Sequence, residues 1–151
     1  MAMLKGAKGS QLVIRFLTAP GPPKVFSAAC SINAEREFAL EASVTESVGI
    51  DCEDPEAPGW QEVTVDSLAG TVTGSGRHQP SDYEDLWAWF TSGEARECQV
   101  AMNVSAANGG DITEGDFVIT NLSRSGTRGG FVEFSITLRS SGELVRVDAP
   151  A

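Results

Sequence analysis

The feature that most constrains this chain is a two-residue period. Val132, Phe134, Ile136 and Leu138 alternate with Phe131, Glu133, Ser135, Thr137 and Arg139, and Cys98, Val100, Met102 and Val104 alternate with Glu97, Gln99, Ala101 and Asn103. Successive side chains of a strand point to opposite faces, so this spacing gathers one apolar face that a helix would scatter. Phe38, Leu40, Ala42 and Val44 repeat the pattern against Glu35, Glu37, Ala39, Glu41 and Ser43, in an extended region that starts at Val25. One face of that region is oily and the other acidic. Gln11 to Thr18 is β-branched and aromatic and stops at the breakers Pro20, Gly21, Pro22 and Pro23.

Between these segments the chain changes character. Residues 46 to 66 hold Gly49, Asp51, Glu53, Asp54, Pro55, Glu56, Pro58 and Gly59, too polar and too rich in breakers for a core element, which predicts a long projecting loop. Short strands are expected around Gln61–Val65 and Gly70–Arg77, with the glycines of the second marking a close backbone approach or a bulge. Ser81 to Glu84 has the spacing of a capping box, and Tyr83, Leu86, Trp87 and Phe90 make one apolar stripe of a short helix that Gly93 closes. Trp89, off that stripe, is the candidate for an intersubunit contact. Phe117–Leu122 and Glu143–Val147 complete the extended segments. The fold class expected is mainly β: a β-sandwich or barrel of about seven or eight strands, with one short α-helix packed on it and a long projecting loop.

A chain of 151 residues is expected to form a single domain, 1–151, with residues 1–10 as a mobile arm. Its start lacks the apolar stretch of a signal peptide and no apolar run is long enough to span a bilayer, so the reading is a protein made in the cytoplasm with no membrane partner. Cys30, Cys52 and Cys98 are odd in number and widely spaced, which predicts reduced thiols, with Cys98 a small core residue. The net charge of −10 opposes conventional nucleic-acid binding, which relies on Lys and Arg. The charge is also segregated: residues 1 to 30 carry four basic and no acidic side chains, whereas residues 31 to 66 carry ten acids against Arg36.

Catalytic chemistry finds little support. His78 is the one histidine; with Ser75 or Cys98 as nucleophile and Asp82 or Asp85 as orienting acid it makes a poor constellation, and an exposed loop histidine is the simpler reading. Gly74-Ser75-Gly76 lacks the lysine of a phosphate loop, and Asp51, Glu53, Asp54 and Glu56 lack the glycine and terminal glutamate of an EF-hand. The chain is therefore read as no enzyme, with no cofactor and no metal. Trp60, beside the acidic stretch, is either a local plug or an anchor in a partner's pocket. A monomeric carbohydrate- or ligand-binding sandwich that stacks its ligand on Trp60 or Trp89 is a rival reading.

The order of these features resembles the major tail tube proteins of long-tailed, siphovirus-like bacteriophages and gene transfer agents. The likeness runs through the Gly/Lys-rich start at Met3–Ile14, the flanks Ser31–Glu35 and Gly59–Glu62, the Ser/Thr-Gly strand Thr71–Gly76, the acidic aromatic helix ending at Phe90–Ala95, and the closing Val132–Leu138 with Ser140–Leu144. It implies a structural virion protein whose hexameric rings stack into a non-contractile tube that conducts DNA without binding it specifically. It also implies a tape measure protein inside the tube, with tail terminator and tail-tip proteins as partners. A head-tail joining or tail-terminator ring protein is the alternative within the same particles. Carboxylates on a wall repel phosphate, so Glu35, Glu37 and Glu41, with Thr71, Thr73 and Ser75, are the lumen-facing candidates. The charge segregation predicts a head-to-tail inter-ring contact in which Lys5, Lys8 and Arg15 meet Asp51, Glu53, Asp54 and Glu56 of a neighbour, with Trp60 beside them in the stacking segment 46–66.

Overall fold

A computed structural model describes residues 11–19, 23, 25–28, 32–104 and 109–148. Eight strands form one antiparallel sheet: β1 (Leu12–Ala19), β2 (Val25–Ala28), β3 (Glu35–Gly49), β4 (Trp60–Arg77), β5 (Arg96–Met102), β6 (Asp111–Ser125), β7 (Glu133–Ser140) and β8 (Val145–Asp148). The helix α1 (Pro80–Ser92) connects β4 to β5. The strand order is β2-β1-β5-β6-β7-β4-β3, with β8 paired to β6. The mainly β class with one helix is the one the alternation predicts.

The sheet curls because β6 serves two neighbourhoods. Its first half pairs with β5 and β8, and its second half pairs with β7. A register shift between Ile119 and Asn121 leaves Thr120 as an extra residue, and such a bulge bends and twists its strand. β1 and β3, far apart in the strand order, are thereby brought together: Arg36 Nη1 donates to the Leu12 carbonyl at 2.6 Å. Ile14, Phe16, Val72, Cys98, Val100, Phe117, Ile119, Phe134, Ile136 and Leu138 all turn into one core, which Leu86 and Trp89 of α1 cover.

Two glycines of β4 let this core close. A Cβ on Gly74 would stand 2.7 Å from Ile32 Cγ2, and one on Gly70 would stand 2.7 Å from Leu144 Cδ1. These are the close approaches expected from the glycine spacing.

Several expectations are corrected. The extended region from Val25 towards Val44 is two strands, β2 and β3. The projecting loop 46–66 is mostly strand: β3 continues to Gly49 and β4 begins at Trp60, so the irregular tip is residues 50–59. The two short strands expected between Gln61 and Arg77 are one strand of 18 residues. The helix starts at Pro80 with Gln79 as N-cap and no side-chain cap bond. A proline suits the first helical position because its missing N–H has no partner there, and Ser81 consequently lies inside the helix. Gly93 closes it with φ 68°.

The buried stripe of α1 is Leu86 and Trp89, while Trp87 and Phe90 are exposed. Trp89 is only 3% exposed, packs edge-on against Phe16 at 5.5 Å and donates from Nε1 to the Glu94 carbonyl at 2.9 Å. It is a core residue rather than an intersubunit contact. Residues 1–10 lie outside the described residues, as do Cys30, Pro20, Gly21 and Pro22.

Candidate functional site

The register of four strands assembles one continuous polar face. Glu35 is opposite Ser75, which is opposite Ser135, which is opposite Ser123. The next row on that face is Glu37, Thr73, Thr137 and Asn121, and the next is Ala39, Thr71, Arg139 and Val118. Ser123 and Ser135 hydroxyls meet at 2.5 Å. Glu41 continues the face one row further along β3, opposite Ala69. All six bore candidates from the sequence, Glu35, Glu37, Glu41, Thr71, Thr73 and Ser75, therefore share one side of the β3–β4 pair. The rows in between turn Phe38, Val72, Leu138 and Ile136 to the other side, which faces the core.

Before residue 70 of β4 this pair stands clear of the body. β4 meets β7 only from Thr71 onward, so residues 43–49 and 60–67 form a two-stranded arm whose ladder partners are each other. Ser43 pairs with Ser67 and Val44 with Val65. Skipping Asp66 keeps Val63 and Val65 on the same face as Leu68, and that face also carries Leu40, Val44 and Val48. These side chains are uncovered: Leu40 is 71% exposed and Leu68 79%. The oily face expected to pack on the sandwich does so only at its base, through Phe38. A shallow apolar groove lined by Leu40, Ala42, Leu68 and Leu144 lies where arm and body meet. The opposite face of the arm is polar, and there Thr45 Oγ1 donates to Asp66 Oδ2.

The tip carries Asp51, Glu53, Asp54 and Glu56, all exposed, and its turns are closed by Glu53 N–H to Asp51 Oδ1 at 2.9 Å and Ala57 N–H to the Asp54 carbonyl at 3.1 Å. Trp60, opposite Gly49 at the root of the tip, is 88% exposed, so among the described residues it plugs nothing. Arg15 stands mid-strand on β1, partly buried, opposite Gln99. Lys5 and Lys8 lie outside the described residues.

The groups considered for catalysis are placed apart in role. His78 is half-buried, not an exposed loop residue: its ring lies between Phe134 and Tyr83, at 5.7 and 5.6 Å. Its Nδ1 is buried without a hydrogen-bond partner. Asp85 is engaged by Arg96 at 2.8 Å. Cys98 is fully buried, and burial pushes its thiol up to about 12, against the lowering effect of Arg96, with Asp116 and Glu97 adding to the rise. Among the described residues no three His, Cys, Asp or Glu side chains gather to hold a metal, and no helix is long and apolar enough to cross a membrane. The uncovered apolar arm was missed by the sequence reading; its one signal is the run of valines at 44, 48, 63 and 65.

What the arrangement offers is extended surface: a Ser/Thr/Glu face, an uncovered apolar arm and an acidic tip. This is the equipment of a structural β-protein. Residues 7–146 match the phage tail tube protein family model, and the chain belongs to that family; its role is a structural one in a phage-type tail. The chain is similar to the tail of an empty gene transfer agent particle refined with C6 symmetry (TM-score 0.73, 22% identity, covering 93% of this chain and 98% of that one). It is also similar to the virion of a native gene transfer agent (TM-score 0.72, 19% identity, 94% and 99% covered) and to the SPP1 tail tube (TM-score 0.67, 13% identity, 97% and 81% covered). A cap that terminates the anti-feeding prophage tube matches at TM-score 0.59 and 12% identity over 99% and 95% of the two chains. No curated protein matches the chain.

Proposed function

We propose that this protein forms six-membered rings that stack into a hollow, non-contractile tail tube, with the Glu35, Glu37, Glu41, Thr71, Thr73 and Ser75 face turned to the bore. The role is architectural and involves no catalytic step. The observation that carries it is the continuous polar face, which holds carboxylates and hydroxyls in register on the back of the strands that build the core. Hydroxyls keep water at the wall, and carboxylates repel phosphate. One exposed charge pair is worth about 1 kcal/mol or less, but sixfold symmetry repeated ring after ring multiplies that along a whole duplex. Nucleic acid then slides without adhering.

Copies of the chain are the first partner. A tape measure protein in the bore, a terminator and a tail-tip protein follow by family analogy. The contact between rings is expected to use the acidic tip against a basic surface, for which the sequence offers Lys5, Lys8 and Arg15. The test is the Glu35→Lys, Glu37→Lys, Glu41→Lys variant, which should assemble tubes that retard DNA ejection; unaltered ejection contradicts the bore assignment. The match to a tube-terminating cap supports a second reading, a single terminating ring, and electron microscopy separates the two by whether the pure protein forms long tubes.

A further inference from the structure

One side chain stands at the root of the arm. Leu144 lies in the connection from β7 to β8, and the body fixes that connection on both sides of it. The Ser141 N–H donates to the Asp116 carbonyl at 2.8 Å, and Val145 enters the ladder opposite Glu114. Gly142 makes the turn between them with φ 99°, a left-handed backbone that a side chain would oppose. Held in this way, Leu144 sets its two methyls against two glycines. A Cβ on Gly115 of β6 would overlap Leu144 Cδ2, and one on Gly70 of β4 would stand 2.7 Å from Leu144 Cδ1. Gly115 belongs to the body, where it pairs with Cys98. Gly70 is the residue of β4 just before the pairing with β7 begins.

Little else holds the arm at that point. The β4–β7 ladder ends at Thr71 and Arg139, and the next N–H, that of Gly70, donates to Ser140 Oγ at 2.7 Å. The ladder partners of the strand before Gly70 all lie in β3. A two-stranded ribbon standing alone is marginally stable and twists more than a wider sheet, so its direction is set at its root. From Gly70 back to Trp60 the strand spans about 33 Å at about 3.3 Å per residue, so a tilt of about 10° at the root carries the tip about 6 Å.

We propose that Leu144 is a positioning residue for the arm: its side chain, held by the body, is the stop against which Gly70 rests, and it fixes the direction in which β3 and β4 leave the sheet. Position 70 has to be glycine because the stop occupies the space of a Cβ. Phe38 Cε2, 3.3 Å from the same point, is on β3, the ribbon's other strand, so Leu144 is the contact made from outside the ribbon. The apolar groove lined by Leu40, Ala42, Leu68 and Leu144 is the space into which the arm would lean without the stop, and Leu144 keeps it open. The stop belongs to the single chain. Its consequence for assembly, that every copy in a ring holds one arm direction, rests on the tube reading.

The experiment measures the arm in the monomer. Cys52 is exposed on the tip and Cys98 is buried, so in a Cys30→Ser, Asn121→Cys parent two spin labels report the distance from tip to body by double electron–electron resonance. The parent should give one narrow distance. Gly70→Ala should move its mean by about 6 Å, the displacement of a root tilt of about 10°. Leu144→Val, which removes both δ-methyls and keeps a branched side chain, should broaden the distribution, and Gly70→Ala added to it should no longer move the mean. Continued resistance of Cys98 to a disulfide reagent shows that the body of each variant is folded. The Leu144→Val chain should also need about tenfold more protein to assemble. A broad distance in the parent, an unchanged width in Leu144→Val, or a Gly70→Ala shift of the same size in both backgrounds overturns the stop. A parent that shows the expected distances and never polymerises overturns the tube reading and leaves the stop standing.

Discussion

Val44 pairs with Val65 across the arm although its neighbour Ser43 pairs with Ser67, so the ladder passes over Asp66. That single skipped residue keeps the apolar side chains of β4 on one face through a change of sequence parity. The face is bare in the isolated chain, where Val44 is 44% and Val65 57% exposed.

Bare apolar residues contribute little to a monomer and much to an assembly. Val44→Lys with Val65→Lys should leave monomer stability within about 1 kcal/mol, because exposed positions tolerate substitution. The same variant should lose polymerisation, since covering a valine is worth ~1.5 kcal/mol or more and the charges forbid it. Thermal unfolding and negative-stain microscopy of one preparation check both halves.

Gly74 should be intolerant for a different reason. Its absent side chain is where Ile32 sits, 2.7 Å from the position of an added Cβ. Gly74→Ala should cost about 1–3 kcal/mol through overpacking, and Gly74→Ala with Ile32→Ala should cost less than the two single changes added together, because the second change removes the Cγ2 methyl that the new Cβ meets. Urea unfolding of the single and double variants measures the coupling.

Cys98 makes stability depend on alkaline pH. Burial raises its thiol from 9.0 to about 12, so above pH 9 the unfolded chain releases a proton that the folded chain retains. Stability present below that point should fall as pH rises from about 9 towards about 12, and Cys98→Ala should flatten that part of the curve while costing stability below about pH 9. In a Cys30→Ser background, a disulfide reagent should label Cys52 at once and reach Cys98 only on unfolding.

The sequence is legible where burial enforces its pattern. Phe134, Ile136 and Leu138 alternate because one face of β7 must fill the core, Gly93 ends the helix by its left-handed backbone, and the β4 glycines announce close approach. The arm is not legible in the same way. Its faces are both exposed within one chain, so no core imposes alternation, and breakers at 49, 55, 58 and 59 outweigh the valines between them. The bulge at Asp66 adds a phase change: Val63 and Val65 are odd-numbered, Leu68 and Val72 even, which splits one long strand into two apparent short ones. The phase of the helix is not legible in the sequence because Trp89, not Trp87, meets Phe16, and docking decides that. The bore candidates Glu35, Glu37, Thr73 and Ser75 fall together because both strands keep strict parity below the bulge.

The most direct test of the account is a helical reconstruction of polymers grown from the pure protein. Stacked six-membered rings around an open bore, with Glu35, Glu37 and Glu41 lining it, are the expected result. A solution of monomers only, or a tube with those three carboxylates on its outer surface, contradicts it.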